Sequence, residues 1–247
     1  MTHLVKLIVA ALILISQVVL GQTKTTVGSF NKVIISPHIE TTFVQGEEES
    51  VTILENRLSN DKVNIEVKSG TLRVYLDDAK VTTKHKKVVR NGMKIKEPIY
   101  KGKVLTIRIT YKNLDNLSLR GEQKTLCTNL INTDNFYLKI YGESQVTFNN
   151  VNFKEFDVDI YGESKLTVLK GKVEQQNITS YGESEINLVG VDNSVSKLKA
   201  YGEAEFKVMT SDLIKFTAYG EAEVFYKGNP DIDRGLSFGE SRISQIN

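Results

Sequence analysis

Residues 181–190 read YGESEINLVG, and the opening phrase recurs: YGES stands at 141, 161 and 181, YGEA at 201 and 219, and FGES at 238. The glycines Gly121, Gly142, Gly162, Gly182, Gly202, Gly220 and Gly239 follow one another at spacings of 21, 20, 20, 20, 18 and 19. A sustained period of this size is the signature of a solenoid. Around each phrase the side chains alternate. Leu138, Ile140, Gly142, Ser144, Val146 and Phe148 share one parity, and Lys139, Tyr141, Glu143, Gln145 and Thr147 share the other. The next copy repeats this with Phe156, Val158, Ile160, Gly162, Ser164, Leu166 and Val168. A period of two means strands with one buried face.

Each unit therefore reads as strand, glycine-marked bend, strand and turn, the turns being NNVN, LKGK and VDNS. A single unit of this length cannot bury enough apolar surface to order itself, so neighbours must stack. The expected fold class is all-β, a single-stranded parallel β-helix (solenoid) with coils of about 20 residues rising about 4.8 Å each. Seven glycine-marked coils would span roughly 30 Å. Leucine-rich repeats share the period, but their leucine and asparagine scaffold is absent. With glycine on the inward parity and Ser or Ala two residues later, the phrase marks a bend whose interior admits no larger side chain. Gly142, Gly162, Gly182, Gly202, Gly220 and Gly239 are the expected structural bends.

The stretch before the repeats is β-rich but less regular: KVIIS, IETTFVQG, SVTILE, KVNIEV, GTLRVYL and VLTIRITY alternate or carry β-branched runs between turn signals. No linker composition separates the halves. The chain is read as one β-helical domain over 22–247, with an irregular part at 22–118 and a repeat part at 119–247. The exception is 77–103, where Lys80, Lys84, Lys86, Lys87, Arg90, Lys94, Lys96, Lys101 and Lys103 face few acids. An extended, solvated hairpin or loop is expected there.

The first 21 residues differ in kind. A short head with Lys6 leads into the uncharged run LIVAALILISQVVL and then Gly21, the order of a secretory signal cleaved before Gln22. The run is short for a bilayer span, so no membrane span is expected in the mature chain. Export to the periplasm or outer cell surface follows. The single cysteine, Cys127, cannot form an internal disulfide; its parity makes it a buried, inert thiol. A formal charge of +2 over 247 residues gives no reason to expect nucleic acid as a partner.

These residues carry a resemblance. Phe30 with Val33 and Ile35, FVQG at 43–46, GTLRVYL at 70–76, LTIRITYKNLDNLSLRGE at 105–122 and every YGES or YGEA phrase resemble the bacterial auto-transporter adhesins of the head GIN domain type, frequent in Bacteroidetes. The resemblance implies an exported parallel β-helix with an adhesive role, no enzymatic activity and no catalytic signature to carry over.

If the alternation persists through the bend, Tyr141, Tyr161, Tyr181, Tyr201, Tyr219 and Phe238 form one outward file. Glu143, Glu163, Glu183, Glu203, Glu221 and Glu240 form a second, and Glu185, Glu205 and Glu223 a third. The tyrosines and glutamates are the candidate binding surface, with a glycan of the envelope or host, or a surface protein, as partner. Charges about 5 Å apart in water repel by only roughly 0.8 kcal/mol, and Lys165, Lys199, Lys207, Lys215 and Lys227 can partly pair the face. A flat ladder offers divergent oxygens to calcium, which needs six to eight convergent ones, so no metal and no cofactor is expected. The alternative is a polysaccharide-processing lyase or hydrolase on a β-helix scaffold, with Asp157, Asp159, Glu163 and Lys165 as its candidate groups. Beyond His3, only His38 and His85 are present, and no nucleophile elbow or phosphate loop appears. The function expected is therefore non-enzymatic binding or adhesion at the cell envelope.

Overall fold

The computed structural model describes residues 22–246, so the expected signal segment lies outside the described residues. The chain forms a β-solenoid of about six turns. Its strands are β1 (Thr23–Thr26), β2 (Lys32–Ile35), β3 (Ile39–Gln45), β4 (Ser50–Asn56), β5 (Val63–Lys68), β6 (Thr71–Leu76), β7 (His85–Arg90), β8 (Met93–Pro98), β9 (Leu105–Tyr111) and β10 (Asn116–Gly121). The repeats supply β11 (Lys124–Gly142), β12 (Gln145–Tyr161), β13 (Ser164–Val168), β14 (Gly171–Tyr181), β15 (Ser184–Leu188), β16 (Val191–Met209), β17 (Leu213–Lys227), β18 (Asp231–Phe238) and β19 (Ser241–Gln245). From β10 onward every pairing is parallel, and equivalent residues of successive coils lie opposite one another: Tyr141 with Tyr161, Tyr161 with Tyr181, Tyr181 with Tyr201, and Tyr201 with Tyr219.

The inward parity fills the cylinder as the alternation requires. Leu138, Ile140, Val146, Phe148, Phe156, Val158, Ile160, Leu166 and Val168 are all buried. Phe136 is the hub of an aromatic cluster, stacked on Phe153 at 4.9 Å and edge-on to Phe148 and Phe156 at 5.7 and 6.0 Å between centroids.

The bend glycines have a different cause from the one the alternation suggests. They sit on a half-exposed corner, not in the interior. Their φ angles run from +105° to +135° at Gly142, Gly162, Gly182, Gly202, Gly220 and Gly239, a region that L side chains rarely adopt. A Cβ at any of these positions would lie 2.3–2.9 Å from the carbonyl oxygen of the corner glycine one coil below. The constraint is the approach of successive backbones along the axis.

The irregular amino-terminal part is a cap. The first coil, β2 and β3, pairs on one side with β10 and β11 and on the other with β6 and β9. Antiparallel partners finish that end: β5 on β6, β4 on β9, and β1 on β4. The chain thus lays its first coil, closes the solenoid end, and returns through β10 to climb the other way. A stack of repeats needs such a closure, because a terminal coil otherwise leaves its apolar interior and its edge exposed. At the opposite end β18 and β19 pair with β17. There a register shift near Phe216 breaks the ladder and Arg234 stands opposite the buried Phe216, two devices that blunt an edge against further pairing.

The basic segment forms the expected hairpin. β7 and β8 make a separate antiparallel pair closed by Asn91 and Gly92, both at positive φ, as a two-residue type I′ turn requires.

Replacing Gly202 by Ala is expected to cost at least about 2 kcal/mol, a fall of roughly 4–8 °C in Tm for a chain of this size. Gly92→Ala, whose Cβ meets nothing within 4 Å, should cost about 1 kcal/mol from backbone strain alone. Gly28→Ala, at ordinary contact distance of 3.9 Å from Val67, should leave Tm unchanged. Burial pushes the Cys127 thiol and the Tyr111 phenol above their ordinary values. The unfolded chain releases these protons near pH 8.5 and 10 while the folded chain keeps them, so stability should fall as pH rises above about 8.5. In Cys127→Ala the fall should begin only in the tyrosine range, and a thiol reagent should label the wild type only after denaturation.

Candidate binding face

The corner begins where an inward strand residue, such as Ile160, hands over to an outward tyrosine. Stacked in register, the rings of Tyr141, Tyr161, Tyr181, Tyr201 and Tyr219 lie 4.8–5.2 Å apart and within 6° of parallel, and Phe238 continues the file at 5.6 Å. Each contact adds about 0.5–1.5 kcal/mol beyond simple burial. The rings occupy one another's faces and offer their edges to solvent. Tyr181 remains 40% exposed. Burial is the main reason the Tyr161 phenol is held above its ordinary value, with the Asp159 carboxylate second. At the cap end the file is closed by Arg120, which lies opposite Tyr141 and places its guanidinium carbon 4.6 Å from that ring's centroid.

Past the glycine the chain turns back inward at Ser or Ala, and at the first two of these corners the serine has a local role, whereas Ser184 pairs with Ser180 instead. Ser144 Oγ donates to the Gly121 carbonyl and Ser164 Oγ to the Gly142 carbonyl, each at 2.8 Å. In these coils the strand is interrupted at the corner. Between the coils carrying Ala204 and Ala222 the ladder runs unbroken, with Gly202 opposite Gly220 and Glu203 opposite Glu221. No hydroxyl is needed where the backbone ladder is continuous.

The Ser and Ala residues floor a groove of about 770 Å³ along the solenoid axis. One wall is Glu143, Glu163, Glu183, Glu203, Glu221 and Glu240; the other is Gln145, Lys165, Glu185, Glu205, Glu223 and Arg242. The two walls differ in charge pairing. In the second, Lys165 pairs with Glu185 at 2.7 Å, Lys207 with Glu205, and Arg242 with Glu223 at 3.9 Å. In the first, all six glutamates are exposed, and none enters an ion pair or a side-chain hydrogen bond among the described residues. The expected pairing of the face is therefore confined to one wall. Lys215 pairs elsewhere, with Asp233 at 3.2 Å.

The groups weighed for catalysis are not gathered. Asp159 lies before the corner and is engaged by Lys139 at 3.4 Å, which raises the lysine above its ordinary value. Asp157 accepts a hydrogen bond from Asn177 at 2.8 Å. Glu163 and Lys165 lie beyond the bend in the groove. His38 is occupied at both ring nitrogens, by the Gly102 carbonyl and Thr83 Oγ1, and His85 sits on the separate hairpin. No cluster of three His, Cys, Asp or Glu side chains among the described residues is placed to hold a metal ion. No helix among them is long and apolar enough to cross a membrane. Sequence reading missed Arg120 and Arg242 as members of the files, although the RGE at 120–122 and the SRI at 241–243 stand at the same offsets as the tyrosine and glutamate phrases.

The chain is similar to several solved structures. A putative adhesin from Bacteroides fragilis superposes with a TM-score of 0.74 at 20% identity, covering 92% of this chain and 96% of that one. A putative adhesin from Parabacteroides merdae gives 0.66 at 17%, and a putative lipid binding protein from Parabacteroides distasonis 0.62 at 16%, both with the same coverage. At these identities the likeness is one of fold. No functionally curated protein matches the chain. The family described as "Putative auto-transporter adhesin, head GIN domain" matches residues 29–230. A match over most of the chain, on the fold seen in the adhesin structures, decides the question: the chain belongs to the head GIN domain family of auto-transporter adhesins.

Proposed function

We propose that this chain is an exported, non-enzymatic binding protein of the bacterial cell envelope, and that the groove at the tyrosine corner engages a cationic segment of a surface protein. Membership in an adhesin family supports a binding role. The observation that carries the rest is the contrast between the two walls: one pairs its glutamates with Lys165, Lys207 and Arg242, while the other keeps six unpaired. A repelling file that neighbouring lysines could have neutralised is a local rule broken, and such breaks gather at functional sites. Lysines or arginines from a partner would relieve the repulsion and gain charge-assisted hydrogen bonds. A neutral glycan fits this face less well, since sugars pack on ring faces and these faces are filled by the neighbouring tyrosines. The scattered placement of Asp157, Asp159, Glu163 and Lys165 supports binding over hydrolysis or lysis of a polysaccharide.

The test is the triple substitution Glu183→Gln, Glu203→Gln and Glu221→Gln. At low ionic strength it should raise Tm by about 2–4 °C by removing like-charge neighbours, and the gain should close in 1 M salt as screening shortens to about 3 Å. The same variant should lose at least about tenfold in affinity for an immobilised lysine-rich peptide, and the wild type's affinity should fall with salt. Equal peptide binding by both proteins would reject the groove as the site. New reducing ends or unsaturated products from envelope polysaccharides would reject the non-enzymatic reading.

A further inference from the structure

A second cavity, of about 380 Å³, lies where the cap meets the solenoid, and Arg120 is one of its walls. The position is singular in the repeat. Arg120 occupies the first step of the tyrosine file, opposite Tyr141, and stacks its guanidinium on that ring. Its Nε is buried and has no hydrogen-bond partner, and the residue enters none of the ion pairs among the described residues. A guanidinium stays charged at any ordinary pH and carries five donors in a planar fork. The residue as a whole is half-exposed, and its terminal nitrogens form no hydrogen bond among the described residues, so these are the free donors that an acceptor entering the cavity would meet.

His38, Thr83 and the Gln123 side-chain carbonyl oxygen of the wall are already engaged. His38, held at φ +72°, uses Nδ1 on the Gly102 carbonyl and Nε2 on Thr83 Oγ1. Gln123 Oε1 accepts from the His38 and Glu122 backbone N–H groups. Pro37 and Val81 supply apolar wall, and Val81 is 50% exposed. The one cationic group of the lining is the unspent Arg120 fork, set beside apolar surface and the Thr82 hydroxyl, in a space of the size that small ligands occupy.

We propose that this cavity is a binding site for the carboxylate of an acidic sugar, a uronic or sialic-acid type residue of a larger glycan. A planar carboxylate matches the guanidinium fork. The apolar CH face of a sugar ring matches Pro37 and Val81. Glu122, exposed at the rim, disfavours a dianion such as phosphate and leaves a single negative charge as the acceptable one. The cavity adjoins the first step of the glutamate groove, Gly142 lining the one and Glu143 the other, but it takes a ligand of the opposite charge and does not depend on what that groove binds.

The experiment is ligand-observed NMR and calorimetry on the mature chain, with glucuronate and N-acetylneuraminate as probes and their methyl esters as controls. The acids should bind and the esters should bind at least about tenfold more weakly. Arg120→Lys keeps the charge but loses the fork, and should also bind about tenfold more weakly; Arg120→Gln should show no binding. Val81→Asp, on the half-exposed wall, should abolish binding of the acids by like-charge repulsion with Tm unchanged, so a folding defect in the Arg120 variants would leave the question decided. The triple glutamine variant of the groove should bind the acids as the wild type does. The proposal is overturned if the acids fail to bind, if acid and ester bind alike, or if either a folded Arg120→Lys or Val81→Asp retains wild-type affinity.

Discussion

The approach of one corner backbone to the next governs this structure. Parallel coils stack at the interstrand spacing of about 4.8 Å, and at the corner the chain takes a positive φ that turns each glycine's missing side chain toward the carbonyl of the glycine below. Any Cβ there would push successive coils apart or out of register. With glycine in place the register holds from Tyr141 to Tyr219. The stacked rings, the serine hydroxyls bonded to glycine carbonyls, and the even spacing of the glutamates all follow from it. The tyrosines are parallel because their backbones are, and they strengthen the register that the glycines permit.

A stack held together this way has two ends, and they are treated differently. The amino-terminal end is closed by folding the chain back on itself, so that β2 and β3 lie between the cap and the rising solenoid. This brings Pro37, the 81–83 segment and Arg120 together, residues far apart in sequence. In the last described coil Leu236 and Phe238 are 69% and 64% exposed. The register shift near Phe216 and the charge of Arg234 make that edge a poor template for another strand.

Most of the solenoid was legible because its physics is local and periodic. Alternation around Leu138, Ile140, Val146 and Phe148 named the core, and the spacing of the glycines named the coil. The cap was not legible, since β4, β5, β6 and β9 alternate as the coil strands do and nothing in a period of two distinguishes parallel from antiparallel partners. Parity counted through the bend places the glycines inside, whereas the bend rotates them onto the corner and the obstruction comes from the coil below. Gln176 was another departure, a polar residue at an inward position whose amide donates to Ser196 while Ser196 bonds Asn193. The tyrosine and glutamate files follow from the alternation, but the pairing of their charges does not. Lys165 reaches Glu185 one coil away, while Lys207 reaches Glu205 two residues along the same strand.

Repetition also limits what the face can recognise. Six equivalent glutamates and five equivalent tyrosines give a partner the same contacts at every step, so they can supply affinity and electrostatic attraction without fixing where along the groove it sits. A partner held only by the repeat could slide by one coil at little cost. Position and identity have to be set where the pattern breaks. The breaks are at the ends: Arg120 in place of a tyrosine beside a cavity, and Arg242 in place of a glutamate or lysine on the second wall. Arg120 is the sharper of the two, because its Nε is buried without a partner while Arg242 faces Glu223. A cationic segment laid along the groove would therefore draw its attraction from the repeat and have its register set at the two ends, where an arginine of like charge stops it.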